Sequence, residues 1–286
     1  MPEVVLTIAG FDPSSGAGIT SDIKTIAAHL CYGVACITAL TVQSTSGVRR
    51  SEAIEANLIA ETLGELALDF KLSAVHLGML GSAEAAGAVA DFLADLVLQE
   101  EPVDIVLDPV FRASSGARLL DSSGRRILEE RLLPLATVIT PNLEEASALT
   151  GLAVRNLDEM RQAAGKLHRM GARAVVVTGG HLDQAADLLS FPSAAGVQQE
   201  VFKSQRQKSN STHGTGCAFS TAIACHLAQG RGLPEAVLLA KAYVSAAISN
   251  AYPLGRGVGP LHHLYRMSQP RRSSSLQLEQ TGTEHG

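Results

Sequence analysis

The apolar and polar positions of this chain fall into a repeating rhythm. Short apolar runs, each closed by glycine, proline or a polar cluster, alternate with longer stretches in which apolar side chains recur every three to four residues. The runs at residues 4–9, 34–40, 74–77, 104–109, 137–140 and 174–178 predict buried strands. Between them, Ile19, Ile23, Ile26 and Leu30 mark one helix, and Leu58, Thr62, Leu66 and Phe70 mark a second. Further helices are predicted at residues 83–98, around 125–133, from 141 onward, and at 157–170. Apolar strands alternating with amphipathic helices predict an α/β fold, a mainly parallel sheet covered on both faces. The stretches at residues 11–18 and 43–47 read as polar loops. From 187 to 205 the pattern shortens to the alternation of a small antiparallel hairpin. Two helices follow, the second at about 235–252 with Lys241 inside it, and then a polar stretch, 268–286, that reads as a disordered tail. No repeat or linker divides residues 1–267, so one domain is expected.

Composition narrows the function. The 286 residues are 46% hydrophobic, enough for a sizeable core. A net charge of -5 with no basic stripe argues against nucleic acid and membrane surfaces as partners. No apolar run approaches the ~18 residues of a membrane span, and no basic segment with a cleavage signal suggests a secretory leader. Cys31, Cys36, Cys217 and Cys225 form no C-x-x-C pair, so neither a disulfide framework nor a zinc site is expected. The expected compartment is the reducing cytoplasm.

The chemistry gathers around residues 211–220. Gly214 and Gly216 flank Thr215 just ahead of Cys217 and a helical run, and a glycine turn feeding a helix N-terminus is an anion cradle. Cys217 falls in the first turn, where the helix dipole is expected to depress its pKa and raise its reactivity. In an open parallel sheet, ligands bind beyond the carboxyl ends of the strands. Asp12, Gln43, Met79, Asp108, Asn142 and Glu145 each follow a predicted strand. Singly they have plainer explanations, since Asp108 ends a strand at Pro109 and Asn142 caps a helix. Together with the glycine cradle they suit Mg²⁺ and phosphates, with Asp108 and Glu145 as metal ligands. Gly16-Ala17-Gly18 resembles a dinucleotide fingerprint, but the ribose-binding acid is missing from residues 36–44. A cysteine hydrolase fits less well. His213 has no orienting partner in the sequence, and His226 would lie about 13 Å along the helix from Cys217.

These motifs resemble a known family. Gly10-x-Asp12-Pro13-Ser14-x-Gly16-Ala17-Gly18, Thr38-Ala39-Leu40-Thr41-x-Gln43, Gly78-Met79-Leu80 and Leu107-Asp108-Pro109-Val110 come in the order seen in hydroxymethylpyrimidine/phosphomethylpyrimidine kinases. Pro141-Asn142-Leu143-x-Glu145, Gly179-Gly180-His181 and Thr212-His213-Gly214-Thr215-Gly216-Cys217 continue the match. The resemblance implies a three-layer α/β/α, ribokinase-like fold and two successive ATP-dependent phosphorylations of a pyrimidine alcohol. It implies Gln43, with Asp12, Ala17, Met79 and Val110, for the pyrimidine, and Asp108, Asn142, Glu145, Thr178 and His213 for nucleotide and phosphates. Gly214, Thr215 and Gly216 would form the anion hole, and Cys217 stands where most of the superfamily carries a catalytic aspartate. One departure is Thr178, where members of the family carry lysine, so a slower enzyme or heavier reliance on metal is expected. Lys241 is a candidate replacement. Pyridoxal kinase is the alternative, and a non-catalytic pyrimidine-binding module the alternative from a different class. The expected cofactors are ATP and Mg²⁺, and the expected assembly is a homodimer.

Overall fold

In β1 (Val4–Phe11), Val5 points into one helical layer while Leu6 and Ile8 point into the other. The same division runs through β4 (Ala74–Leu77) and β5 (Asp104–Leu107), where Ala74 and Val106 face one side and Val75, Leu77, Ile105 and Leu107 the other. Successive strand side chains alternate between faces, so a run that is apolar at every position has to be covered twice. The computed structural model describes residues 1–99, 101, 103–113, 116–180, 185–204 and 209–267. The polar tail, together with His181, lies outside the described residues.

These strands belong to one nine-stranded sheet in the order β3-β2-β1-β4-β5-β6-β7-β8-β9. Strands β2 (Tyr32–Ser44), β1, β4, β5, β6 (Val138–Ile139) and β7 (Val175–Val177) pair in parallel. One face carries α2 (Ala56–Asp69), α3 (Ala83–Leu96), α5 (Leu143–Thr150) and α6 (Leu157–Arg169), packed through Ile59, Leu63, Leu93, Leu149 and Leu167. The other carries α1 (Gly18–Ala28), α7 (Thr215–Ala228) and α8 (Leu233–Ser249), packed through Ile26, Ile223 and Val237. Burying each such side chain stabilises by roughly 1.5–3 kcal/mol. The expected hairpin is present as β8 (Ala185–Ser193) and β9 (Gly196–Ser204), antiparallel at one edge.

Two readings of the sequence need correction. Residues 43–47 are not a loop throughout. Strand β2 continues through Gln43 to Ser44, turns at Thr45 and Ser46, and returns antiparallel as β3 (Gly47–Ala53). The helix expected around 125–133 starts earlier, at α4 (Ser122–Ile127), where the Asp121 carboxylate accepts the Gly124 N–H at 2.7 Å. It then widens over Leu128–Leu132 and tightens over Leu133–Leu135, where Pro134 ends regular hydrogen bonding.

Candidate active site

Because the central strands are parallel, their carboxyl ends share one edge, and the candidate residues gather there. Gly214 holds φ at +80° as the residue before α7, and a Cβ on it would lie 1.9 Å from the Gly16 carbonyl oxygen. A Cβ on Gly16 would in turn lie 2.2 Å from Cδ2 of His213. Only glycine permits this interlock, which locks the loop after β1 against the start of α7. In the first turn of α7 the Thr215 N–H donates to the Thr212 carbonyl at 3.3 Å, whereas those of Gly216 and Cys217 come too early in the helix to reach an intrahelical carbonyl. A Cβ on Gly216 would lie 3.8 Å from Oδ2 of Asp108, so cradle and carboxylate face each other.

Asp108 and Glu145 form a charge-poor pair. Burial raises the Asp108 pKa to about 6, against the nearby His76 and the Ser220 hydroxyl, which lower it. Burial, and then the Asp108 charge, raise Glu145 well above the usual carboxylate range. Glu145 is fixed by a reciprocal cap: its Oε2 accepts the Asn142 N–H at 2.8 Å, and Asn142 Oδ1 accepts the Glu145 N–H at 2.9 Å. Asn142→Ala is expected to lower stability by about 1 kcal/mol in urea unfolding, because one half of the cap is lost. Thr178 bridges to Asn142 at the end of β7, its N–H donating to the Pro141 carbonyl at 2.9 Å.

Cys217 departs from the sequence expectation. Half-buried beside this pair, its thiol is raised well above its ordinary pKa by burial first, then by the Asp108 and Asp22 charges. An N–H of Gly18 works in the opposite direction. Burial and the neighbouring carboxylates together outweigh the helix dipole, which keeps the thiol protonated. Lys241 departs as well. It forms an ion pair with Asp187 at 2.5 Å, and the other Asp187 oxygen accepts the Gly179 N–H at 3.0 Å. Its charge braces the turn after Thr178 and is not a free phosphate ligand.

The loops at the same strand ends carry a small apolar wall of Ala39, Met79, Val110, Ala113 and Leu119, separate from both main cores. Gln43 stands at its edge, its amide nitrogen 3.2 Å from His213 Nε2 and its Oε1 3.2 Å from the Thr41 hydroxyl. His213 Nε2 also lies 2.9 Å from Asp12 Oδ2. The structure therefore groups His213 with Gln43 on the wall side. Asp12 is saturated. Its carboxylate accepts from Ser14 at 2.8 and 2.7 Å, from Gly16 at 3.3 Å and from Ala17 at 2.9 Å, besides His213. Burial opposes its ionisation, but His213 and the other donors outweigh it and lower its pKa. Asp12 thus organises the loop that carries Ala17. Sequence reasoning missed Asp22, His76, Ser220 and Thr221, fully buried polar residues directly beneath Asp108. The available signal was a histidine inside a strand, where alternation puts it in the core.

The profile of the family described as phosphomethylpyrimidine kinase matches residues 12–262. The chain belongs to this family. It is 44% identical over 262 residues to the thiamine biosynthesis bifunctional protein ThiED of Geobacter sulfurreducens, covering 91% of this chain and 52% of that protein. The chain thus spans about half the length of that bifunctional relative. It is 42% identical to the hydroxymethylpyrimidine/phosphomethylpyrimidine kinase of Haemophilus influenzae, covering 91% of this chain and 96% of that one. Among solved structures, an ADP complex of Bacillus subtilis pyridoxal kinase superposes with a TM-score of 0.82 at 34% identity, over 93% of this chain and 100% of that one. The architecture is the α/β/α, ribokinase-like fold of these enzymes, and membership makes this chain an ATP-dependent kinase. Among the described residues no helix is long and apolar enough to cross a membrane.

Proposed function

We propose that the protein phosphorylates the hydroxymethyl group of 4-amino-5-hydroxymethyl-2-methylpyrimidine, then the resulting monophosphate, giving the pyrophosphate used in thiamine biosynthesis. What supports this reading is the gathering at one sheet edge of the glycine turn that opens α7, the Asp108 and Glu145 carboxylates, and a small apolar wall with the Gln43 amide nearby. A flat heterocycle fits over Met79 and Val110, with the Gln43 amide offering a donor and an acceptor to its aminopyrimidine edge. Its hydroxymethyl arm would then point at the start of α7, where the glycine turn from Gly214 through Thr215, with the main-chain N–H groups of Gly216 and Cys217, would receive the terminal phosphoryl group of ATP.

Asp108 and Glu145 fit a divalent cation. Burial raises both carboxyls, and the Asp108 charge raises Glu145 further, while Mg²⁺ takes one or two carboxylates together with phosphate oxygens. Bound there, Mg²⁺ would supply the charge that neutralises the carboxylates and polarises the transferring phosphoryl group. Against burial and the carboxylate charges, the Gly18 N–H and the α7 dipole are the groups that favour thiolate at Cys217. Cys217 would take the hydroxyl proton as the new O–P bond forms and the bond to the leaving ADP breaks. Asn142 and Thr178 line the same edge for the nucleotide phosphates.

The test is a coupled ADP-release assay with the pyrimidine alcohol, its monophosphate and pyridoxal. ADP formation with both pyrimidines, at higher kcat/KM than with pyridoxal, is expected. ADP with pyridoxal alone would move the assignment to the pyridoxal kinase reading, which the similarity to the Bacillus subtilis enzyme supports. Absence of ADP with all three would leave the binding-module reading. In the same assay Gln43→Leu is expected to raise KM for the pyrimidine alcohol about tenfold, the cost of about 1.4 kcal/mol for lost pairing. A cytoplasmic homodimer is the expected form, and sedimentation equilibrium checks the assembly.

A further inference from the structure

Beneath the carboxylate pair lies a set of polar side chains that the reaction just described does not use. His76, in the middle of β4, is fully buried against α1 and α7 with Thr7, Asp22, Ser220 and Thr221. Its Nδ1 faces Thr7 Oγ1 at 3.2 Å, Thr221 Oγ1 at 3.3 Å and Asp22 Oδ2 at 3.4 Å. Thr7 donates its hydroxyl proton to Asp22 Oδ2 at 2.8 Å, and Thr221 donates to Oδ1 at 3.0 Å. A hydroxyl has one proton to give. Both threonines are therefore acceptors toward His76, as is the carboxylate, so Nδ1 carries the proton.

The opposite nitrogen leads to the site. Nε2 lies 3.1 Å from Ser220 Oγ, which is itself 3.2 Å from Oδ2 of Asp108. Ser220 Oγ also reaches the carbonyls of Gly216 at 2.9 Å and Cys217 at 3.2 Å. A bare Nε2 would take the single Ser220 proton for itself. A protonated Nε2 occupies an Oγ lone pair and turns that proton outward, toward Asp108 and the first turn of α7. Asp22 biases the balance. Burial disfavours the imidazolium, but the Asp22 charge and hydrogen bond outweigh it, and the net direction is upward.

We propose that His76, anchored by Asp22, Thr7 and Thr221, is a positioning residue that directs the Ser220 hydroxyl onto Asp108 and so holds that carboxylate in place for the phosphate-bound divalent cation. The proposal rests on the reading of Asp108 as a cation ligand. A merely structural network would fix the helix against the sheet and leave the cation dependence alone.

The test uses Ser220→Ala, His76→Leu, His76→Gln and the Ser220→Ala/His76→Leu double variant of the full chain. Two quantities are read: the Mg²⁺ concentration for half-maximal turnover, and the rise in melting temperature that Mg²⁺ produces in the presence of ADP. Ser220→Ala is expected to raise the half-maximal Mg²⁺ about tenfold, to diminish the Mg²⁺-induced melting shift, and to leave KM for the pyrimidine alcohol within twofold. His76→Leu is expected to match it, and the double variant to be no worse than either single one, because both changes break one chain of contacts. His76→Gln, whose amide still offers an N–H to Ser220, is expected to recover to within threefold of wild type. An unchanged Mg²⁺ dependence in Ser220→Ala, or multiplicative effects in the double variant, would overturn the proposal. Where His76→Leu does not fold, Ser220→Ala and His76→Gln decide the matter. The melting shift needs no turnover, so failure of the relay and failure of the kinase reading give different results.

Discussion

Cys217→Ala is expected to lower turnover of the pyrimidine alcohol about 10³-fold, roughly 4 kcal/mol of transition-state stabilisation, while turnover of the monophosphate falls less than about tenfold. The asymmetry follows from the two nucleophiles. An alcohol has to lose its proton during attack, and in the proposed reaction Cys217 accepts it. A phosphate monoester oxygen has a second pKa near 6 and is already largely ionised at neutral pH, so it needs no base. Replacement of a half-buried thiol is expected to leave the melting temperature nearly unchanged, which separates chemistry from folding. Steady-state kinetics on both substrates with the purified variant supply the check. Alcohol turnover within tenfold of wild type would remove Cys217 from the role of base. Equal losses on both substrates would instead mark it as part of the anion hole.

Asp108→Asn is expected to abolish most activity, about 10³-fold, and yet to stabilise the cation-free protein. Burial raises this carboxyl to about 6 from an ordinary 3.8. The folded state thus binds the proton more tightly than the unfolded chain does, so stability falls as pH rises from about 4 to about 6 and stays low above that. Two pKa units at 1.36 kcal/mol each place the cost near 3 kcal/mol at pH 8. Asparagine removes the charge, keeps an acceptor for Ser220, and relieves Glu145 of its charged neighbour. Urea unfolding of both proteins in a chelating buffer at pH 4.5 and 8 is the measurement. The advantage of the variant should be small at the lower pH and about 3 kcal/mol at the higher. A variant less stable than wild type at pH 8 would mean that Asp108 is not held in an unfavourable charge environment. Active-site groups that cost stability in the empty protein are a common accompaniment of function.

The parallel core was legible in the sequence because β1, β4, β5 and β7 are covered on both faces and leave short, mainly apolar runs, interrupted inside by Thr7 and His76. Strand β3 left no such trace. It lies at the sheet edge, and Arg49, Arg50, Ser51 and Glu52 are exposed, so it has no buried face to impose alternation. Its pairing with β2 depends on the neighbouring strand, information that no local window of residues holds. The glycine turn at Gly214, Thr215 and Gly216 and the helix start at Cys217 were legible because two glycines before an apolar helix have a backbone meaning of their own. Cys217's charge state was not, since it depends on burial and on Asp108, Asp22 and Glu145, all of which only folding brings about. Asp12 followed the same pattern. Its position after β1 could be read, but its five donors could not. Lys241 looked like a spare cation until β8 placed Asp187 against it. Ser220 and Thr221 sit in an apolar helix and His76 in an apolar strand, where each alone reads as a tolerated polar residue in the core.

The most direct measurement is a crystal structure of the protein with Mg²⁺, a non-hydrolysable ATP analogue and the pyrimidine alcohol. The terminal phosphate is expected within hydrogen-bond reach of the Gly216 and Cys217 N–H groups, with the metal on Asp108 and Glu145. The pyrimidine is expected over Met79 with its amino edge on Gln43 and its hydroxyl oxygen beside Cys217 Sγ. A phosphate bound away from the start of α7, or a hydroxyl turned away from Cys217, would contradict the account.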